Sequence, residues 1–387
     1  MILAEILTEL LARGCTKVIY RPEGGAGLDE RTRKVIEKQG FVINGDGEYE
    51  VDMSSPVIVF KNIDTIIKNP LSKNKRVLRA IENAHNKLLA ALTDMYPGQL
   101  VLSFNSNMMH HKMIQLIART NKVSAVPYKE KKYGPDMAVP FSSMMESLAV
   151  PNTVTKDLYT EKYFSRDVSS FTVEEQSFFS PLDNQVKTIK SFNRPVILVD
   201  NLLHKGYRMK ELYPLLMKHG IDVINVVVGV STARGRSLME GTGCSVDSAY
   251  YVPNLKCWID ETAVYPYIGG DSLKDPGKPV KGQDDIPAVN MVLPYAVPTF
   301  LGDVSGKGIY SYSMTCLENA RDILKTLEEE YQKEFARKLT LKRVGEVISV
   351  PKRPESDLNK NYDENIAPSA YVEQDIEKLI RLRKMFI

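Results

Sequence analysis

Between Arg194 and Met209 the chain reads RPVILVDNLLHKGYRM. An aliphatic run ends in Asp200 and Asn201, the polar stretch His204-Lys205-Gly206 follows, and a helical pattern begins near Tyr207. A parallel strand delivers its last residues to the carboxyl edge of its sheet, where open α/β folds take ligands. An aspartate placed there accepts hydrogen bonds from sugar hydroxyls. Just beyond, the free N–H groups and dipole of a starting helix attract phosphate. Gly206 lets the backbone close around an anion, and Lys205 and Arg208 supply positive charge. One sugar phosphate would satisfy both halves, with its hydroxyls on Asp200 and Asn201 and its phosphate on His204, Lys205, Gly206, Tyr207 and Arg208. The plain alternative is that Asp200 only caps the next helix.

Other stretches carry residues of related chemistry. QLVLSFNSNMMHHKMIQLIART reads as a strand, a polar turn and an amphipathic helix with Met109, Met113, Leu116 and Ile117 inward. Ser103, Asn105, Ser106 and Asn107 occupy the turn, where Ser106 or Asn107 could equally cap an ordinary helix. His110 and His111 are neighbours in that helix and face different directions, which argues against a metal pair. KVSAVPYKEKKYGPD reads as a strand leading into a lysine-rich segment with Lys129 and Lys132, or a solvated turn. SAYYVPNLKCWIDE offers Tyr250, Tyr251 and Trp258, aromatics that stack on a ligand or fill a core.

The elements that must position these residues alternate. Strands are predicted in TKVIYRP, SPVIVFK, QLVLSFN, KVSAVPY, RPVILVD, IDVINVVVGV, SAYYVPNLKCW and PAVNMVLPY, and helices over about 28–39, 75–95, 107–120 and 207–219. Continuously apolar strands separated by helices predict an α/β fold with a parallel, doubly wound sheet. Polar KNPLSKNK and the long helical pattern from SYSMTCLENA onward suggest three parts: a small α/β region over 1–74, the main domain over 75–315 and a helical extension over 316–387. The last helical pattern, AYVEQDIEKLIRLRKMF, could clasp the body or a second subunit, so a homodimer is among the expectations.

The Val196–Arg208 stretch resembles the ribose-phosphate signature of type I phosphoribosyltransferases. Ile197, Leu198 and Val199 match the strand, Asp200 the first acid, Leu202 and Leu203 the apolar pair, and Gly206 the first loop glycine. Asn201 stands in place of the second acid, and bulky residues replace the small hydroxyl residues of the loop. The resemblance extends, in order, over about residues 95–265. It implies a pyrophosphate turn at Ser103, Asn105, Ser106 and Asn107, with diphosphate contacts from Lys129 and Lys132 as in the orotate- and adenine-type branch. It also implies a base platform at Tyr251 or Trp258. The implied activity is transfer of a 5-phosphoribosyl group from its diphosphate, PRPP, to a nucleobase nitrogen, with Mg²⁺ bridging donor oxygens rather than held by an assigned set of ligands. The alternative is a non-catalytic module of the same fold that binds a nucleotide, regulates or mediates assembly.

Near the N terminus, Arg21-Pro-Glu-Gly24-Gly-Ala26 resembles the RxxGxA pyrophosphate loop of N-acetyltransferases, with most of that fold absent. The totals set broader bounds. The chain has 387 residues and a formal net charge of +3, too little to argue for nucleic acid. Cys15, Cys244, Cys257 and Cys316 stand far apart with no CxxC pair, as in a cytoplasmic protein with reduced thiols. No apolar run reaches the roughly 18 residues of a membrane span. The N-terminal MILAEILTELLARG reads as an amphipathic helix rather than a signal peptide. A small phosphorylated ligand, without membrane or nucleic acid, is the expected partner.

Overall fold

The computed structural model describes residues 2–22, 28–127, 129, 132–142, 150–274, 286–355 and 362–385. The helices are α1 (Ile2–Ala12), α2 (Glu30–Glu37), α3 (Ile63–Ile66), α4 (Lys75–Met95), α5 (Ser106–Thr120), α6 (Leu182–Ser191), α7 (Tyr207–Lys218), α8 (Ala233–Glu240), α9 (Glu261–Val264), α10 (Gly306–Phe335) and α11 (Pro368–Leu382). The strands are β1 (Lys17–Tyr20), β2 (Val42–Ile43), β3 (Tyr49–Lys61), β4 (Gln99–Asn105), β5 (Met137–Pro140), β6 (Val154–Thr155), β7 (Thr160–Phe164) and β8 (Phe171–Glu175). They continue with β9 (Val196–Leu203), β10 (Val223–Ser231), β11 (Ser245–Tyr251), β12 (Cys257–Asp260), β13 (Asp271–Leu273), β14 (Ile286–Val289) and β15 (Lys352–Pro354). Two compact units result, each assembled from separated stretches. Unit 1 comprises Met1–Cys15, Asn105–Tyr163 and Phe171–Leu255, and unit 2 comprises Thr16–Phe104, Phe164–Ser170 and Lys256–Ile387.

Unit 1 is built on a five-stranded sheet in the order β11-β10-β9-β5-β6, with every neighbouring pair parallel. Its central strands are mostly aliphatic because side chains on both faces are buried. Val196 and Leu198 of β9 and Val226 and Val228 of β10 share one core cluster with Met209, Leu212 and Leu216 of α7. Met109 of α5 lies against Gly229 of β10, where a Cβ would stand 2.4 Å from its sulfur. The far end of α5 is pinned by Arg119, which donates to Asp247 Oδ1 at 2.9 Å near the start of β11. The first turn of α5 therefore stands at the carboxyl edge of the sheet.

Unit 2 carries a mixed sheet in which β3 pairs antiparallel with β1 and β2 and parallel with β12, while β4 also joins β3. Leu88 and Leu92 of α4, Leu317 and Leu324 of α10, and Val372 and Leu379 of α11 meet in its core. The buried face of α11 thus covers the chain's own core. Asp29 caps α2 by accepting from the N–H groups of Arg31 and Thr32, both at 3.0 Å. Residues 23–26 of the acetyltransferase-like loop lie outside the described residues. Among the described residues no helix is long and apolar enough to cross a membrane.

Four strand expectations are corrected, and of these PAVNMVLPY keeps a strand only as far as Val289, in β14. KVSAVPY forms turns through Pro127 rather than a strand, and β5, ten residues further on, enters the sheet instead. Asn152 Nδ2 donates to the carbonyls of Ser124 and Val126 at 2.8 and 2.9 Å, satisfying acceptors that a strand would have presented to a neighbour. QLVLSFN does form β4, but in the sheet of unit 2 rather than with β9 and β10. SAYYVPNLKCW breaks at Val252–Lys256 into β11 of unit 1 and β12 of unit 2. An apolar run signals burial without saying in which sheet.

Candidate functional site

The strand read from Arg194 onward is β9, and it ends at Leu203, leaving a loop of only His204, Lys205 and Gly206 before α7. Gly206 is the N-cap of α7 at φ 69, a left-handed conformation that favours glycine. A Cβ there would also fall 2.1 Å from Leu238 Cδ2 of α8, so the missing side chain makes room for a neighbouring helix as well as a turn. Thr232 caps α8, accepting from the Gly235 N–H at 3.2 Å and donating to the His204 carbonyl at 2.9 Å. That bond ties the start of α8 to the loop before α7. His110, in the first turns of α5, bonds Asn201 Oδ1 through Nε2 at 2.9 Å. The starts of α5, α7 and α8 are in this way gathered at the carboxyl ends of β9 and β10.

Asp200 is 6 % exposed and does not stand apart from the cationic loop. Its Oδ1 accepts from Arg208 Nη1 at 2.7 Å and from the Asn201 N–H at 2.8 Å. Three buried polar atoms in the same region have no hydrogen-bond partner among the described residues: Ser106 Oγ, His204 Nδ1 and Arg208 Nε. Orphaned buried groups are costly, and their presence together marks a place where a ligand or water would be stabilised. Lys205 is exposed. Tyr207 is 48 % exposed and meets Phe171 edge-on, with ring centroids 5.7 Å apart.

No family model matches the chain, and no curated protein matches it. Among solved structures it is similar to a hypoxanthine phosphoribosyltransferase from Trypanosoma cruzi, a K68R mutant complexed with the product IMP. The likeness has 12% identity and a TM-score of 0.23, and covers 46% of this chain and 81% of that one.

The remaining residues singled out from the sequence separate. Asn105 caps α5 by accepting from the Met108 N–H at 3.2 Å, and Asn107 is exposed. Lys129 and Lys132 are exposed in irregular segments of unit 1. Tyr251 lies under the guanidinium of Arg236, 4.6 Å from the ring centroid. Arg236 also donates to Ser231 Oγ at 3.0 Å and Ser248 Oγ at 3.2 Å. Trp258 belongs to unit 2, where it stacks on Phe60 at 5.2 Å. Ser103 is likewise in unit 2, bonded to His85 rather than grouped with Asn105, Ser106 and Asn107. A cavity of about 420 Å³ in unit 2, lined by Lys68, Tyr267, Lys342, Lys352 and Arg353 among others, contains none of these residues.

Sequence reading missed Thr232 as a member of the site. Its one signal was a hydroxyl residue between an apolar strand and a helix, which is ordinary capping chemistry. His110 is buried and bonded to Asn201, while the neighbouring His111 is exposed and bonds Gln115.

The two histidines of the site give it a pH dependence. Burial holds both imidazoles below the usual range; the hydrogen bond to Asn201 partly offsets this at His110, and the charges of Lys205 and Arg234 add to it at His204. A lowered folded pKa means that the unfolded chain takes the proton first. The associated stability is therefore intact above about pH 6.5 and is lost as pH falls below it, by at most about 1.4 kcal/mol per pH unit for each histidine. Urea unfolding at pH 7 and 5.5 is expected to show this loss, reduced in His110→Gln. An equal loss in parent and variant would remove His110 as a source.

Proposed function

We propose that unit 1 is a doubly wound, phosphoribosyltransferase-like module that binds a small phosphorylated ligand, a nucleoside phosphate, without transferring its sugar. The observation that carries this is the set of orphaned atoms, Ser106 Oγ, His204 Nδ1 and Arg208 Nε, beside three gathered helix starts at one sheet edge. Helix starts and cationic side chains together favour an anion with several acceptor oxygens. Lys205 adds charge from the surface, and Asp200 offers its second carboxylate oxygen to a ribose hydroxyl. Tyr251, with Arg236 across its ring, is the base platform of this reading.

The use made of the acid supports binding rather than catalysis. Asp200 already neutralises Arg208, and Asn201, uncharged, is held by His110. A resident Mg²⁺ does not fit this donor set, since one acid is paired and the other position has none. PRPP remains a ligand to test because its 5-phosphate and diol present the same groups.

Calorimetry on the full chain tests the proposal with a nucleoside 5′-monophosphate and with PRPP, each with and without Mg²⁺. Saturable binding of the nucleotide, independent of Mg²⁺ and weakened about 10–100-fold in Arg208→Ala, is expected from loss of a charge-assisted contact. Release of pyrophosphate from Mg²⁺–PRPP on addition of a purine or pyrimidine would overturn the non-catalytic reading in favour of a transferase. Absence of binding by either ligand would overturn both.

A further inference from the structure

Within unit 2, three residues from separate elements form a hydrogen-bonded chain. His85 lies on the buried face of α4, Ser103 near the end of β4, and Glu261 immediately after β12. His85 Nδ1 meets Glu261 Oε1 at 2.6 Å, and His85 Nε2 meets Ser103 Oγ at 2.9 Å. Glu261 is fully buried and His85 is 5 % exposed, whereas Ser103 is half-buried. The chain thus runs from an enclosed carboxyl group, through an enclosed imidazole, to the hydroxyl of a half-buried residue.

The order of atoms matters. A carboxylate on Nδ1 fixes the ring tautomer with its proton on that nitrogen, which leaves the Nε2 lone pair to accept from the serine hydroxyl. A serine on the second nitrogen also satisfies a buried imidazole; what singles out this one is that its two nitrogens join an enclosed carboxyl group to the hydroxyl of a half-buried residue. The arrangement also occurs without any part of the sheet edge of unit 1. Burial raises the Glu261 carboxyl, opposed first by the hydrogen bond and charge of His85 and then by the charge of Lys61. Asp260 and Thr262 do not compete for His85: Asp260 Oδ1 accepts from Asn62 at 2.8 Å and from Thr262 Oγ1 at 2.6 Å.

We propose that Ser103, His85 and Glu261 form an acyl-transfer site acting on esters of small, uncharged acyl groups. Ser103 Oγ attacks the acyl carbonyl carbon, forming the Oγ–C bond, while its proton passes to His85 Nε2. The C–O bond to the alcohol then breaks, and the leaving oxygen takes that proton from Nε2. Water repeats the sequence on the acyl-serine, giving its proton to Nε2, releasing the carboxylic acid and restoring the Ser103 hydroxyl. Ser103 and His85 are the catalytic residues. Glu261 is a positioning residue, acting through the imidazole. A small acyl group suits a serine that is itself half-buried.

The test uses the full chain, a fluorophosphonate probe and p-nitrophenyl acetate. The expected result is one probe adduct on the peptide carrying Ser103, and ester hydrolysis that falls at least about 100-fold in Ser103→Ala, which removes only a hydroxyl. Glu261→Gln is expected to slow labelling and shift its pH profile, a change that loss of packing would not produce. Ser103→Cys gives a readout that does not depend on turnover: the introduced thiol should be alkylated by iodoacetamide at neutral pH faster than the four native thiols, of which three are buried. A folded parent chain with no adduct at Ser103, hydrolysis unchanged in Ser103→Ala, or an introduced thiol no more reactive than the native ones would each overturn the proposal. None of these outcomes bears on nucleotide binding by unit 1.

Discussion

Asp200→Ala lowers the stability of unit 1 by about 2–4 kcal/mol, and adding Arg208→Leu recovers most of that loss. The reason lies in the environment of the pair. The side chains of Asp200 and Arg208 are 8% and 23% exposed, and their contact is 2.7 Å. Removing the carboxylate strands a largely enclosed guanidinium whose Nε already lacks a partner. Breaking a buried pair on one side costs about 3–5 kcal/mol, reduced here because Arg208 retains some solvent. Replacing the guanidinium with an apolar side chain removes the stranded charge and restores packing. Urea unfolding followed by hydrogen exchange of the β9 amides measures the cycle. Additive losses in the double variant would mean that the two residues are not energetically coupled.

A second large effect is expected at Gly235. Its Cβ would fall 2.2 Å from the Leu203 carbonyl oxygen and 2.8 Å from the carbonyl carbon. Both belong to the backbone of β9, so a side chain cannot be accommodated by a rotamer change. Gly235→Ala must push the start of α8 away from β9, breaking the Thr232–His204 tie, at more than about 3 kcal/mol. Gly243 provides the comparison. It has φ 86 but nothing within 4 Å of a built Cβ, so Gly243→Ala carries backbone strain alone, about 1–2 kcal/mol. Differential scanning calorimetry of the two variants separates crowding from strain, and equal melting temperatures would remove the distinction. Nucleotide affinity should fall in Gly235→Ala and persist in Gly243→Ala.

Local pattern made many elements of both units legible. The aliphatic run before Asp200 and the amphipathic spacing after Gly206 place β9 and α7 closely, and α4 and α5 emerge within a residue or so of their expected bounds. The site itself was legible as a set of residue types but not as a set of bonds. Nothing in HKGYR says that Arg208 folds back eight residues to Asp200 rather than facing outward. Nor does the sequence say that the space at Gly206 is claimed by Leu238, because that depends on how α8 packs. Sheet membership was hidden for the same reason: β4 and β12 are as apolar as β9, yet belong to unit 2. His85 gave only a faint signal, a titratable residue on the same helical stripe as Ile81 and Leu88, whose partners lie 18 and 176 residues away.

The path of the chain between the two units has its own consequence. It changes unit after residues 15, 104, 163, 170 and 255, so neither unit corresponds to a continuous fragment. A nascent polypeptide cannot finish unit 1 until β11 has left the ribosome, and α4 must wait for α10 and α11 before its apolar face is covered. Assembly is dominated by contacts distant in sequence, which slows folding and prolongs exposure of sticky intermediates. Truncation at either end would therefore remove part of a core rather than trim an appendage.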